Sequence, residues 1–151
     1  MMMIKIIGEA GQGIKTFSLI VGKILTHLEK HVSVSINYGT NVRSGLVTTD
    51  IIFSHERIEN PKVDEPDIAF VLANGKNLSF PHTTKKITYA DIDFEKVSFQ
   101  NFEKTRFANM IALGKLLNMI EIKIEKIDWK ELLPAKFYEE NIKSIKLGYA
   151  L

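Results

Sequence analysis

The sequence contains no cysteine. That excludes disulfides, thiolate-ligated zinc and thiolate-ligated iron–sulfur clusters on this chain, and it removes thiol nucleophiles. Arginine is nearly absent too: Arg43, Arg57 and Arg106 are the only ones among 20 basic residues. No dense basic run occurs, and 20 Lys and Arg against 18 Asp and Glu give a formal net charge of +2, so nothing points to nucleic acid. No apolar run approaches the length of a membrane span, and the short "MMMIKII" start does not resemble a secretory signal. The expectation is a cytoplasmic protein with no membrane contact.

Familiar catalytic sets are missing as well. No serine sits in a G-x-S-x-G turn. Asp64, Glu65, Asp67, Asp91 and Asp93 are scattered over turns and caps and form no acid/base pair. His27 and His31 have the i, i+4 spacing of a helical metal pair, but His31 falls beyond the expected end of its helix and no H-E-x-x-H glutamate accompanies it. No metal site is expected. A polypeptide without its own catalytic set but with a ligand-ready edge leaves the chemistry to a partner.

That edge starts at "IKIIGEAGQGIKT", Ile4 to Thr16. Gly8 and Gly13 have P-loop spacing, yet Ile14 separates Gly13 from Lys15 and Thr16, and one extra helical residue turns the lysine about 100° away. The dinucleotide fingerprint fails at its middle glycine, where Ala10 stands. Residues 3–8 read as a buried strand, and a helix from about Gln12 to Glu29 follows, with Ile14, Phe17, Val21, Ile24, Leu25 and Leu28 at three- and four-residue spacing. Strands are expected over His31–Asn37, Leu46–Ser54 and Asp67–Ala73, with "KKITYA" and "KVSF" read as two more. Helical pattern returns from Lys104 to Met119. "DWKELL" reads as a helical turn ended by Pro134, and Lys136 to Gly148 as a last helix. No repeat or linker is evident, so residues 1–151 are expected to form a single α/β domain. Its architecture would be three-layer α/β/α, with a mostly parallel central sheet and a Rossmann-like start.

In such sheets ligands sit beyond the carboxyl ends of the strands. If the second strand runs parallel to the first, the loop "NYGTNVRSG" ends beside the Gly8–Gly13 turn. The helix start offers unpaired N–H groups and a partial positive charge to an anion. Arg43 adds a planar donor set suited to phosphate, or to a protein interface. Gln12 carries an amide able to bond a carbonyl or the neighbouring loop. The glycine turn serves equally well for tight strand–helix packing. Arg57, beside Glu56 and Glu59, reads as a surface pairing residue.

Five stretches in order carry a family resemblance: "GEAGQG" (Gly8–Gly13), "NYGTNVRSGLVTTDIIFS" (Asn37–Ser54), "IENPKVDEPDIAFVLA" (Ile58–Ala73), "NMIALGKLL" (Asn109–Leu117) and "ENIKSIKLGY" (Glu140–Tyr149). Together the sequence resembles the gamma subunits of 2-oxoacid:ferredoxin oxidoreductases. Ala10, Asn41 and Ser44 depart from the family pattern. The resemblance implies oxidative decarboxylation of a 2-oxoacid to an acyl-CoA by a complex with alpha, beta and delta-type subunits. Electrons pass through the complex to ferredoxin, and thiamine diphosphate and iron–sulfur clusters sit on the partners. It further implies that this chain binds no cofactor alone but shares coenzyme A at an interface, through Gly8, Gly11, Gln12, Gly13, Tyr38, Gly39, Arg43, Ser44 and Gly45. A stand-alone nucleotide-binding module and a purely structural assembly subunit are the alternatives.

Overall fold

The computed structural model describes residues 1–39, 45–73 and 78–151. They form two compact units, Met1–Ile92 and Asp93–Leu151.

The first unit is a five-stranded sheet with one long helix. Its elements are β1 (Met2–Glu9), α1 (Ile14–His27), β2 (His31–Tyr38), β3 (Leu46–Ser54), β4 (Ile68–Val71) and β5 (Lys85–Thr88), and the strand order is β2-β3-β1-β4-β5. β4 runs parallel to both β1 and β5, whereas β3 is antiparallel to both β1 and β2. Four strands therefore share one direction, and the sheet is mostly parallel as expected. The reversed strand follows from chain length. Residues 39–45 are too few to carry a crossover, so β3 folds back on β2, while α1 gives β1 and β2 the length needed to run the same way.

Directly paired Ile6 and Phe70 project to one side of the sheet, and the Phe70 ring meets Phe17 of α1 at 6.4 Å between centroids. Ile14, Phe17, Val21, Ile24 and Leu25 are buried on that face, so the three- and four-residue spacing reports the packed side of α1. The helix stops two residues short of Glu29 because Glu29 takes φ 58°, turning the chain into β2. β4 is buried at all its positions, as its unbroken apolar run implies. On the opposite sheet side, Lys5 and Asp50 face each other across β1 and β3 and pair at 2.7 Å. Asp67 fastens the start of β4: its carboxylate accepts from the Met3 N–H at 2.8 Å, and its own N–H donates to the Met3 carbonyl.

The second unit is helical: α2 (Phe94–Phe102), α3 (Ala108–Met119), a 3-10 turn at Ile124–Lys126, α4 (Trp129–Leu132) and α5 (Tyr138–Ala150). "KVSF" lies inside α2 and is not a strand. The Asp93 carboxylate accepts from the Lys96 N–H at 2.9 Å, and the buried positions are Phe94 and Ser98, four apart. The capping aspartate outweighed the strand preference of Val97 and Phe99. Asp128 caps α4 in the same manner.

α3 and α5 meet at two glycines in a reciprocal contact. A Cβ on Gly114 would strike the Ile145 carbonyl, and a Cβ on Gly148 would strike the Ile111 carbonyl. Each glycine thus rests on the isoleucine three residues before the other. The two segments, Ile-Ala-Leu-Gly and Ile-Lys-Leu-Gly, form a short repeat that composition and periodicity did not expose.

Candidate functional site

The carboxyl ends of β1, β2 and β4 lie at one edge, because these strands run the same way. At that edge the turn after β1 is built by positive φ at Gly11 (90°) and Gly13 (72°). Gly8 has another duty: a Cβ there would sit 2.6 Å from Ile14 Cγ1 and 3.0 Å from Gln12 Oε1, so the strand end and the helix start can approach only through glycine.

Gln12 locks the turn in place. Its Oε1 accepts from the Glu9 N–H at 2.7 Å, and its Nε2 donates to the Leu72 carbonyl at 3.2 Å. One side chain thereby ties the end of β1 to the end of β4, which also pair through the Leu72 N–H and the Ile7 carbonyl at 2.7 Å. The amide does bond a carbonyl, as its chemistry suggested. Glu9 and Leu72, its partners, were not visible in the sequence, since backbone groups leave no residue-type signal.

The second loop joins the first by a direct bond. The Ala10 N–H donates to the Gly45 carbonyl at 2.7 Å, and the Gly39 N–H donates to the Leu46 carbonyl at 3.1 Å, closing the base of the loop. Gly45 has φ 58°, and Tyr38, the last residue of β2, is 63% exposed. Gly8, Gly11, Gln12, Gly13, Tyr38, Gly39 and Gly45 therefore gather on one sheet edge. Arg43 and Ser44 lie outside the described residues.

α1 begins at this edge with Gly13 as its N-cap and no side-chain hydrogen bond closing it. Gly13 has no side chain with which to cap the first turn, and a helix start carries N–H donors without intrahelical partners and a partial positive charge. Lys15 and Thr16 are exposed on the helix. Among the described residues no group of three His, Asp or Glu side chains is arranged to hold a metal. His27 ends α1 while His31 opens β2, so the two do not share a helix face. No described helix is long and apolar enough to cross a membrane. The Asp91 carboxylate lies below its usual range. The N–H and hydroxyl of Thr88, both at 2.8 Å, hold it low, with a smaller contribution from Lys86.

The sequence pattern of the pyruvate ferredoxin/flavodoxin oxidoreductases matches residues 3–82, which hold the whole sheet edge and more than half of the 151 residues. The chain belongs to this family. Several of its relatives match it nearly end to end. The 2-oxoglutarate synthase subunit KorC of Archaeoglobus fulgidus is 27% identical over 161 aligned positions, covering 98% of this chain and 86% of the relative. Among solved structures, the keto/oxoacid ferredoxin oxidoreductase gamma subunit of Geobacter sulfurreducens superposes with a TM-score of 0.76 at 17% identity, covering 99% of this chain and 97% of that one. The 2-oxoglutarate:ferredoxin oxidoreductase of Magnetococcus marinus, solved with 2-oxoglutarate, coenzyme A and succinyl-CoA bound, gives a TM-score of 0.75 at 17% identity. This chain spans 99% of its own length there but 30% of that longer polypeptide. At such identities the superpositions establish the fold of this family member.

The family segments acquire physical reasons in this fold. Pro66-Asp67 supplies the carboxylate that anchors β4 to β1. The glycines of "NMIALG" and "IKSIKLG" are the reciprocal contacts of α3 and α5. Gln12 of "GEAGQG" ties β1 to β4.

Proposed function

We propose that this chain is the gamma subunit of a complex with alpha, beta and delta-type companions. The complex oxidatively decarboxylates a 2-oxoacid with coenzyme A, yielding acyl-CoA, carbon dioxide and reduced ferredoxin. The Gly8–Gly13 turn and the Tyr38–Gly45 loop line the entrance for coenzyme A, beside a thiamine diphosphate centre held by the partners. The observation carrying this reading is the 2.7 Å bond from the Ala10 N–H to the Gly45 carbonyl, which holds the two glycine-bearing loops together at one ligand-facing edge. The donor chemistry fits an anionic ligand: a helix start whose N-cap is a glycine, backbone N–H groups and Arg43 in the loop. The chain has no cysteine with which to ligate an iron–sulfur cluster, in keeping with clusters on companions.

Within this reading the residues divide their work. Gln12 keeps the turn rigid, and Gly11 and Gly13 supply its shape. Arg43 meets a phosphate. Arg43→Ala in the assembled enzyme raises the KM for coenzyme A about ten-fold or more, since one charge-assisted hydrogen bond contributes roughly 1.5–3 kcal/mol. An unchanged KM refutes the assignment.

A second reading is favoured by one observation. Both ends of the Gln12 amide are satisfied by this chain's own backbone, as suits loops packed permanently against a companion subunit. In that case Arg43→Ala weakens assembly of the complex and leaves KM alone.

A further inference from the structure

The loop edge belongs to the first unit, and the second unit carries a surface of its own. The α2–α3 and α4–α5 connections bring Phe107 and Phe137 edge to face, 5.9 Å between centroids and 84° between planes, with Phe102 5.2 Å from Phe107. Three cations gather about the Phe137 ring: the Arg106 guanidinium at 4.8 Å from the centroid, the Lys136 ammonium at 5.2 Å and the Lys104 ammonium at 6.0 Å. All three side chains are exposed. The ring quadrupole attracts each of them, but the like charges repel one another.

No carboxylate compensates them. The ion pairs among the described residues are Lys5–Asp50 and Lys62–Asp64, both in the first unit. Glu103, Glu139 and Glu140 are near in sequence, yet none lies within ion-pair distance of these cations. On α2, one helical turn before Phe102, Phe99 is 59% exposed. Aromatic residues and arginine are the types enriched at interface centres.

We propose that Phe99, Phe102, Lys104, Arg106, Lys136 and Phe137 dock an acidic segment of a companion subunit, its carboxylates meeting the cations and an apolar side chain covering Phe99. Charge complementarity selects this occupant. The cations have no internal partner to give up, and stacking on Phe137 already orients Arg106. A second copy packed face to face would set two of these cation clusters against each other. A small anion leaves Phe99 uncovered. The inference rests on the chain acting as a subunit and is independent of where coenzyme A enters.

The test uses the assembled complex carrying Lys104→Glu with Lys136→Glu, and follows subunit dissociation on dilution by mass photometry. At about 0.05 M NaCl the apparent Kd for this chain rises roughly ten-fold or more. At about 0.5 M NaCl, where screening is strong, the gap to the parent complex narrows. The Lys104→Arg, Lys136→Arg pair assembles like the parent, and Phe99→Ser weakens assembly at both salt concentrations. If the reversed pair fails to fold by circular dichroism, Lys104→Gln with Lys136→Gln is read by the same criteria. Parent-like dissociation and salt dependence of the charge variants overturn the proposal. So does saturable binding of inorganic pyrophosphate that those variants abolish while assembly stays intact.

Discussion

Replacing Gly148 with alanine sets two effects of opposite sign against each other. In an isolated helix the change stabilises, by about 0.5–1 kcal/mol, because glycine is a poor helix former. In α5 the new methyl group would enter the contact with α3, striking the Ile111 carbonyl oxygen and lying 2.6 Å from its carbonyl carbon and 3.0 Å from its Cα. These are backbone atoms of a buried residue in the middle of α3, so no rotamer change relieves the clash and the helices must separate. Overpacking of this kind costs about 1–3 kcal/mol, and separation also loosens the buried Leu113, Leu117 and Ile145. The expected net effect is destabilisation by about 0.5–2 kcal/mol after the propensity gain is subtracted. Urea unfolding of the variant and parent chains measures it as a lowered midpoint at unchanged slope. Gly114→Ala behaves likewise against the Ile145 carbonyl and the Tyr149 N–H, and the double variant loses less than the sum because both methyls push open the same contact. A raised midpoint for Gly148→Ala would refute the close helix contact and leave propensity as the governing term.

Gln12→Leu strands the Glu9 N–H and the Leu72 carbonyl and lowers stability by about 1–3 kcal/mol, read from thermal unfolding; a loss below a few tenths would show that water takes over both bonds. At Gly11, φ is 90° and a Cβ meets nothing within 4 Å. Gly11→Ala therefore destabilises by about 1–2 kcal/mol through backbone strain alone, and a larger alanine-to-valine difference would reveal crowding that the structure lacks. Asp91 has a folded pKa below its unfolded value, so its hydrogen bonds to Thr88 stabilise the chain above about pH 4 and cease to do so as pH falls through the folded value. Asp91→Asn should lower the melting temperature near neutral pH, and the difference should disappear in acid; a pH-independent difference excludes the carboxylate as its source.

Much of the first unit was legible in the sequence. The β1 strand, the glycine turn and α1 were set by short-range pattern: an apolar run, residues needing positive φ, then apolar positions three and four apart. β3 came out at its expected bounds because β-branched residues are dense there. The segment "KVSF" was misread because four residues carry too little periodicity to separate strand from helix, and the decisive Asp93 lies just before them. The site was legible as two glycine-bearing loops, conditional on strand direction. It was not legible as a bonded pair, since the bond joins the backbone of Ala10 to that of Gly45.

By itself the sequence determined where the chain bends and which helix face turns inward, for local sterics and apolar spacing are properties of neighbouring residues. It also excluded thiolate chemistry outright, by composition. Tertiary structure alone decided that β3 inserts between β1 and β2, that Gln12 spends its amide on a carbonyl sixty positions away, and that Gly114 and Gly148 face each other's isoleucines. Each of these ends on backbone atoms distant along the chain. The backbone is chemically uniform, so which of its groups meet is settled only when the elements pack.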